Sequence, residues 1–299
     1  MISTSGVPRW AAIPLISSIL LAGLPASAET DTSSTKPSGH LYLVSIGIGD
    51  PDNITVRAQK ILAESDIVFG MESVRERHAD LLQGKEIYEA GHGLFRQMPP
   101  RPSKDADGPS QDERAERRRR HEEQRAELEA QARKIIREAV EAGKQVAVID
   151  YGDPTIYGPQ TGYLSEFADL DPVVIPGVSS FNAANAALGR GITQGEHSRS
   201  VILTRTPGGP ERENRLDTLE KLAESRSTLV FFTMRSKLPE VVERLKGSYP
   251  GDTPIAIVSH AGYAEREQVM VATLDTVLEQ AGDAELPFEH LIYVGDFLK

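Results

Sequence analysis

The chain contains no cysteine. Disulfides, thiolate metal sites and cysteine nucleophiles are therefore excluded. Its seven histidines show no paired spacing of a metal-binding motif, so no bound metal is expected. Gly47-Ile48-Gly49 lacks the third glycine of a dinucleotide fingerprint, and no G-x-x-x-x-G-K-[ST] phosphate loop is present. There is no G-x-S-x-G elbow either, which makes Ser179 and Ser180 poor hydrolase nucleophiles. The apolar stretch 11–24 is short for a membrane span and is interrupted by Pro14, with Pro25 just beyond it. Acidic residues outnumber basic ones, 44 to 33. A net charge of −11 argues against a nucleic-acid surface over the protein as a whole.

What is present is an ordinary globular composition, 39% hydrophobic and 26% charged over 299 residues. That length suggests two domains. Residues 1–28 have the pattern of an export signal: a lone Arg9, an apolar core, and Ala26-Ser27-Ala28 before a polar segment. The expected location is periplasmic, with no stable span after signal removal. The alternatives are an uncleaved N-terminal anchor or a cytoplasmic protein with a misassigned start. Residues 29–39 read as a Ser/Thr-rich linker.

The folded part begins at His40. A buried strand runs into G-I-G-D-P-D-N-I-T, a helix follows over 55–64, and S-D-I-V-F-G-M and K-E-I-Y-E-A are further strands, a spacing that predicts a parallel sheet. A Pro-rich break at 98–109 leads into a helix over 111–142. Arg117 to Arg120 are consecutive there, but flanking acids at one-turn spacing make this a solvated helix rather than a nucleic-acid arm. Ala132, Ile135, Ile136 and Val140 then form an apolar stripe, so only the C-terminal half is expected to dock. After a boundary at 192/193, strands are expected at S-V-I-L-T, T-L-V-F-F-T-M, T-P-I-A-I-V-S, Q-V-M-V-A-T-L and H-L-I-Y-V, with helices over 216–223 and 238–245. The N-terminal domain thus covers 40–192, with an insertion at about 98–130, and the C-terminal domain 193–299.

The centre of the pattern is 146–180. Two apolar strands there end in the turns Y-G-D-P and P-G-V-S-S. In open α/β sheets ligands bind at the carboxyl ends of strands, so both turns are expected to line one site. Backbone-rich turns with small hydroxyls suit an uncharged or zwitterionic small molecule.

The order G-I-G-D-P-D-N-I-T, S-D-I-V-F, Y-G-D-P-T-I-Y-G, V-I-P-G-V-S-S, T-L-V-F-F-T, A-G-Y resembles the tetrapyrrole (corrin/porphyrin) methylases over His40 to the C-terminus, apart from the insertion. The resemblance implies two α/β domains with an S-adenosylmethionine cleft between them, a tetrapyrrole or corrinoid-like acceptor, and a homodimer. The cofactor contacts it implies are Ile48, then Tyr151, Gly152, Asp153 and Ile156, then Ser179 and Ser180, then Thr233 and Gly262. Two departures stand out. Ile48 replaces the family's usual proline. Gly70-Met71 replaces the Tyr-Asp whose aspartate accepts a proton in uroporphyrinogen methylases. Glu72 and His92 are the candidate substitutes, and Arg75, Arg77, His78, Arg96 and Arg205 are candidates to meet acceptor carboxylates. The resemblance also leaves open a backbone N-methyltransferase of the same superfamily, and the missing aspartate and the export signal leave open a non-catalytic exported tetrapyrrole-binding protein.

Overall fold

The computed structural model describes residues 38–96, 110–205, 216–282 and 285–299. The expected export signal, the Pro-rich break and most of the loop after S-V-I-L-T lie outside the described residues. Two five-stranded sheets are present among those described.

The first sheet comprises β1 (His40–Ser45), β2 (Ile67–Phe69), β3 (Glu86–Tyr88), β4 (Gln145–Asp150) and β5 (Val173–Ile175). Its order is β3-β2-β4-β1-β5, and every pair is parallel as the sequence spacing implied. Period-2 alternation sends the side chains of the two central strands to opposite faces. Leu41, Leu43, Val146 and Val148 bury against α3 (Gln111–Glu141) and the single-turn helix α5 (Gly162–Glu166). Val44, Ala147 and Ile149 bury on the other face, against α1 (Val56–Glu64) and α2 (Glu72–Arg77). Both faces are covered, which is why these strands read as continuous apolar runs.

Helix α3 begins with a capping box in which Ser110 and Glu113 satisfy one another's backbone donors. Its exposed first half pairs internally, Arg119 and Arg120 to Glu116 and Arg125 to Glu129. Ala132, Ile136 and Ala139 are buried, so the helix docks by its second half as the stripe indicated.

Between the sheets lie α4 (Pro154–Tyr157), which follows β4, and α6 (Ser180–Leu188), which follows β5. The second sheet comprises β6 (Val201–Arg205), β7 (Thr228–Phe232), β8 (Pro254–Ser259), β9 (Gln268–Thr273) and β10 (His290–Val294), in the order β6-β7-β10-β8-β9. Only β6 and β7 run parallel; the other pairs are antiparallel. One face packs on α7 (Leu219–Glu224), α8 (Leu238–Leu245) and α9 (Val277–Ala281). Helix α7 begins three residues later than expected, because Thr218 caps it while Leu216 is exposed.

The other face of the second sheet carries Val230, Phe232, Val258, Leu291 and Tyr293 and receives Ala183 and Ala184 of α6. Phe181 stacks on Tyr293 at 6.5 Å, and the Tyr293 hydroxyl donates to the Phe181 carbonyl at 3.2 Å. Helix α6 therefore belongs to the second core although it precedes the sequence position 192/193. Ile48 and Val178, from turns of the first sheet, join this cluster too.

The halves approach closely at Gly49, whose φ is +81° and where a Cβ would overlap the Gly262 carbonyl. Gly49→Ala therefore combines a left-handed penalty of about 1–2 kcal/mol with a backbone clash. Urea denaturation should show a loss of more than about 2 kcal/mol; an unchanged midpoint would show that the two turns can separate freely.

Candidate functional site

Strands β1 and β4 are neighbours, yet their chains leave in opposite directions. From β1 the chain crosses past β4 to β2, and from β4 it crosses past β1 to β5. Their carboxyl ends form the switch point where a crevice opens in a doubly wound sheet. Register places Ser45 of β1 opposite Asp150 of β4 at this rim.

The turns leaving the two strands are tied together. The Gly152 N–H donates to the Gly47 carbonyl at 2.8 Å, forming a single antiparallel bridge. The Ser45 hydroxyl donates to the Gly152 carbonyl and accepts from the Gly47 N–H at 3.2 Å. The Pro176–Ser180 turn closes on the same point. A Cβ on Gly177 would overlap Ser45 Oγ, and the Gly177 N–H donates to Asp153 Oδ2 at 3.3 Å. Both turns of the 146–180 stretch thus meet in one place, as strand-end reasoning anticipated.

The second sheet reaches the same crevice through the Ala261-Gly262-Tyr263 turn. The Asp50 N–H donates to the Gly262 carbonyl at 2.9 Å, and Asp50 Oδ2 accepts from the Ala264 N–H at 2.8 Å. Asn53 Nδ2 bridges the Ile48 and Gly262 carbonyls, at 2.9 Å each. Asp50 and Asn53 therefore hold the first and last turns together. They stand in the quoted G-I-G-D-P-D-N-I-T motif, but only a partner more than two hundred residues away reveals their function.

Of the sequence-derived cofactor contacts, Ile48, Tyr151, Gly152, Asp153, Ser179, Ser180 and Gly262 stand on or beside these turns, Ile156 lies in α4, and Thr233 follows β7. Ile48 is half-buried against the second sheet. Tyr151 is half-buried, and its hydroxyl lies 2.8 Å from that of Ser73. Gly152 and Asp153 are buried, whereas Ile156 is exposed. The Asp153 carboxylate is taken up locally, accepting from the Thr155 N–H at 2.9 Å and its hydroxyl at 2.6 Å, and so caps α4. Ser179 likewise caps α6, accepting from Asn182 N–H at 3.1 Å, while Ser180 is half-buried and forms no side-chain hydrogen bond among the described residues. Thr233 has φ +58° at the end of β7, an outlier for a β-branched residue, which marks the turn as held by its surroundings. Among them is His290, whose Nε2 accepts from the next N–H, Met234, at 3.2 Å.

The acceptor-side candidates separate sharply. Met71 packs on the α1 face of the first core, so its position is apolar in role as well as in identity. Glu72 opens α2 and is exposed; its neighbour Ser73 touches the Tyr151 turn. His92 is exposed in the loop after β3, and the adjacent Gly91 carbonyl accepts from Gln160 Nε2 at 2.6 Å. Both therefore flank the Tyr151–Gln160 loop, from either end.

His78 is buried, with its pKa lowered by burial and by the Arg77 charge, which removes it from the residues able to meet an acceptor. Arg75 is committed to Glu89 at 3.1 Å. Arg96 donates to the Gly158 carbonyl at 3.2 Å, and Arg205 lies over the Tyr157 ring. Arg77 differs. Its guanidinium lies 5.7 Å from the Tyr151 ring centre and 5.5 Å from that of Tyr263, one ring from each half, and has no carboxylate partner among the described residues.

This architecture, two α/β sheets meeting at strand-end turns, is shared with solved methyltransferases. The cobalamin biosynthetic enzyme cobalt precorrin-4 methyltransferase superposes with a TM-score of 0.61 at 24% identity, over 87% of this chain and 96% of its own. Uroporphyrin-III C-methyltransferase from Thermus thermophilus, solved with S-adenosylhomocysteine, gives 0.57 at 22% identity, over 87% and 99%. The fold class is that of an α/β methyltransferase. The profile of the tetrapyrrole (corrin/porphyrin) methylases matches residues 40–278, and the chain belongs to that family. The cobalt-precorrin-4 C(11)-methyltransferase of Methanocaldococcus jannaschii is 30% identical over 267 residues, spanning 86% of this chain and 88% of that protein.

Because Asp153 satisfies both the α4 cap and the Gly177 N–H, Asp153→Ala leaves two backbone donors and the Thr155 hydroxyl without their acceptor. Its expected cost is about 1–2 kcal/mol in urea unfolding. A variant as stable as the wild type would show that solvent replaces the carboxylate at no cost.

Proposed function

We propose that this protein transfers a methyl group from S-adenosylmethionine to a ring carbon of a corrin-type tetrapyrrole precursor, in the manner of the precorrin-4 methyltransferases it is similar to. The observation that carries the reading is the meeting of turns from both sheets at the β1–β4 switch point, in a chain of this family.

The residues present suit the methyl donor. A side chain is kept out at Gly49 by the Gly262 backbone and at Gly177 by the Ser45 side chain, so main-chain groups make much of the walls. Hydroxyls and backbone carbonyls line much of the rest, beside the Asp50 and Asp153 carboxylates that backbone N–H groups take up, a set that suits a zwitterion bearing an extra positive charge. Ile48, Tyr151, Gly152, Asp153, Ile156, Ser179, Ser180, Thr233 and Gly262 are assigned to hold it, with Asp153 and Ser179 acting through the backbone they order. When bound, S-adenosylmethionine supplies a sulfonium methyl, and transfer to a nucleophilic carbon breaks the S–CH3 bond and leaves the neutral sulfide.

On the acceptor side, the rings of Tyr151 and Tyr263 hold the Arg77 guanidinium in place without neutralising it. A carboxylate of the acceptor supplies the missing bidentate partner. Glu72 and His92 remain the candidates to take a proton, and in-line placement of donor and acceptor carries the larger share of the rate.

Calorimetry with S-adenosylhomocysteine tests the donor site, and mass spectrometry of corrin precursors incubated with S-adenosylmethionine tests the reaction. A gain of one methyl group is expected, and the absence of binding would sink the proposal. Arg77→Ala should raise the acceptor KM about tenfold while changing S-adenosylhomocysteine affinity less than about twofold. Equal loss of both would place Arg77 at the donor instead.

We propose further that residues 1–28 direct export. Fused to a reporter active only outside the cytoplasm, they should give activity. A silent reporter with normal expression would return the enzyme to the compartment where its methyl donor is made.

A further inference from the structure

Asp150 was not among the residues singled out by the sequence patterns. It ends β4 beside Ser45 and is fully buried. Its two oxygens face opposite ends of one loop: Oδ1 accepts from the Tyr151 N–H at 2.8 Å, and Oδ2 accepts from the Gln160 N–H at 2.9 Å. Gly158 lies so close that a Cβ there would crowd Oδ2. The segment enclosed by this clasp, Tyr151 to Gln160, carries Tyr151, Gly152, Asp153 and Ile156, four of the nine residues assigned to the methyl donor. Gln160 in turn ties the loop to Gly91, next to His92.

We propose that Asp150 is a positioning residue of the methyl-donor site, holding the Tyr151–Gln160 loop closed through its ionised carboxylate and releasing it on protonation. This rests on the donor site assigned above.

A buried carboxylate is a costly way to hold two N–H groups, because a neutral acceptor would avoid its desolvation. Among the described residues no cation forms an ion pair with it. Burial raises its pKa to about 7, against the opposing pull of the Gln160 and Tyr151 N–H groups and the Arg96 charge, and with a small further push from Asp153. The charged groups facing it are thus Arg96, from the loop after β3, and Asp153, within the clasped loop; its partner across the strands, Ser45, is neutral. Above about pH 7 both oxygens accept and the clasp is complete. Below it one oxygen becomes a hydroxyl, and a hydrogen bond to an ion is lost.

The test is the affinity for S-adenosylhomocysteine by calorimetry between pH 5.5 and 8.5, with hydrogen exchange of residues 151–160 measured on the same samples. For the wild type, affinity should fall about tenfold as the carboxylate is protonated. Asp150→Asn replaces one acceptor with a donor, so it should bind weakly at every pH with a flattened profile and exchange the loop amides faster. Arg96→Gln removes an exposed cation without touching the core, so it remains informative if Asp150→Asn folds poorly; its profile should shift to higher pH. If wild type and Asp150→Asn bind alike, or the Arg96→Gln profile does not move up, the assignment is overturned. Loop exchange no faster in Asp150→Asn overturns the clasp irrespective of ligand. A wild type that binds no S-adenosylhomocysteine at any pH overturns the donor site itself, a result distinguishable from failure of the clasp alone.

Discussion

The pairing of β1 with β4 is the constraint from which the rest of the molecule follows. These strands are joined along their whole length, from His40 opposite Gln145 to Ser45 opposite Asp150, and then part company. One chain must turn away to each side of the sheet, and the gap they leave is bridged by Gly47 and Gly152 and filled by the Ser45 hydroxyl. Everything assigned to the methyl donor on the first sheet hangs from that rim. Because both turns approach at backbone distance, the residues at closest contact can carry little or no side chain.

The second sheet is attached by two different means. Asp50 and Asn53 fasten the first turn to Gly262 by hydrogen bonds, while Ile48, Val178 and α6 bury against Val230, Val258 and Tyr293. The hydrogen bonds specify where the halves meet, and the apolar contact supplies the driving force. Near the junction, Arg77 between Tyr151 and Tyr263 has no carboxylate partner among the described residues, whereas the Asp50 and Asp153 carboxylates of the same crevice are taken up by backbone N–H groups.

Much of the site was legible in the sequence because its parts are local. Glycine turns after apolar strands announce themselves, and their order along the chain carried the family resemblance. The caps at Thr55, Asp153 and Ser179 also belong to short-range patterns. The short helices α2 and α9 went unanticipated, since six and five residues hold too little periodicity to register. His78 looked like a loop cation and proved to be buried at the C-terminal end of α2, a tertiary fact.

The sequence by itself determined the parallel first sheet, the docking half of α3, the family, and the turns that line the crevice. Each is written in spacing that a single stretch of chain contains. Only the tertiary structure decided that Asp50 and Asn53 clasp Gly262, that α6 sides with the second sheet, and that Asp150 closes a loop on itself. Those depend on which groups are deprived of water together, and burial is a property of the assembled chain.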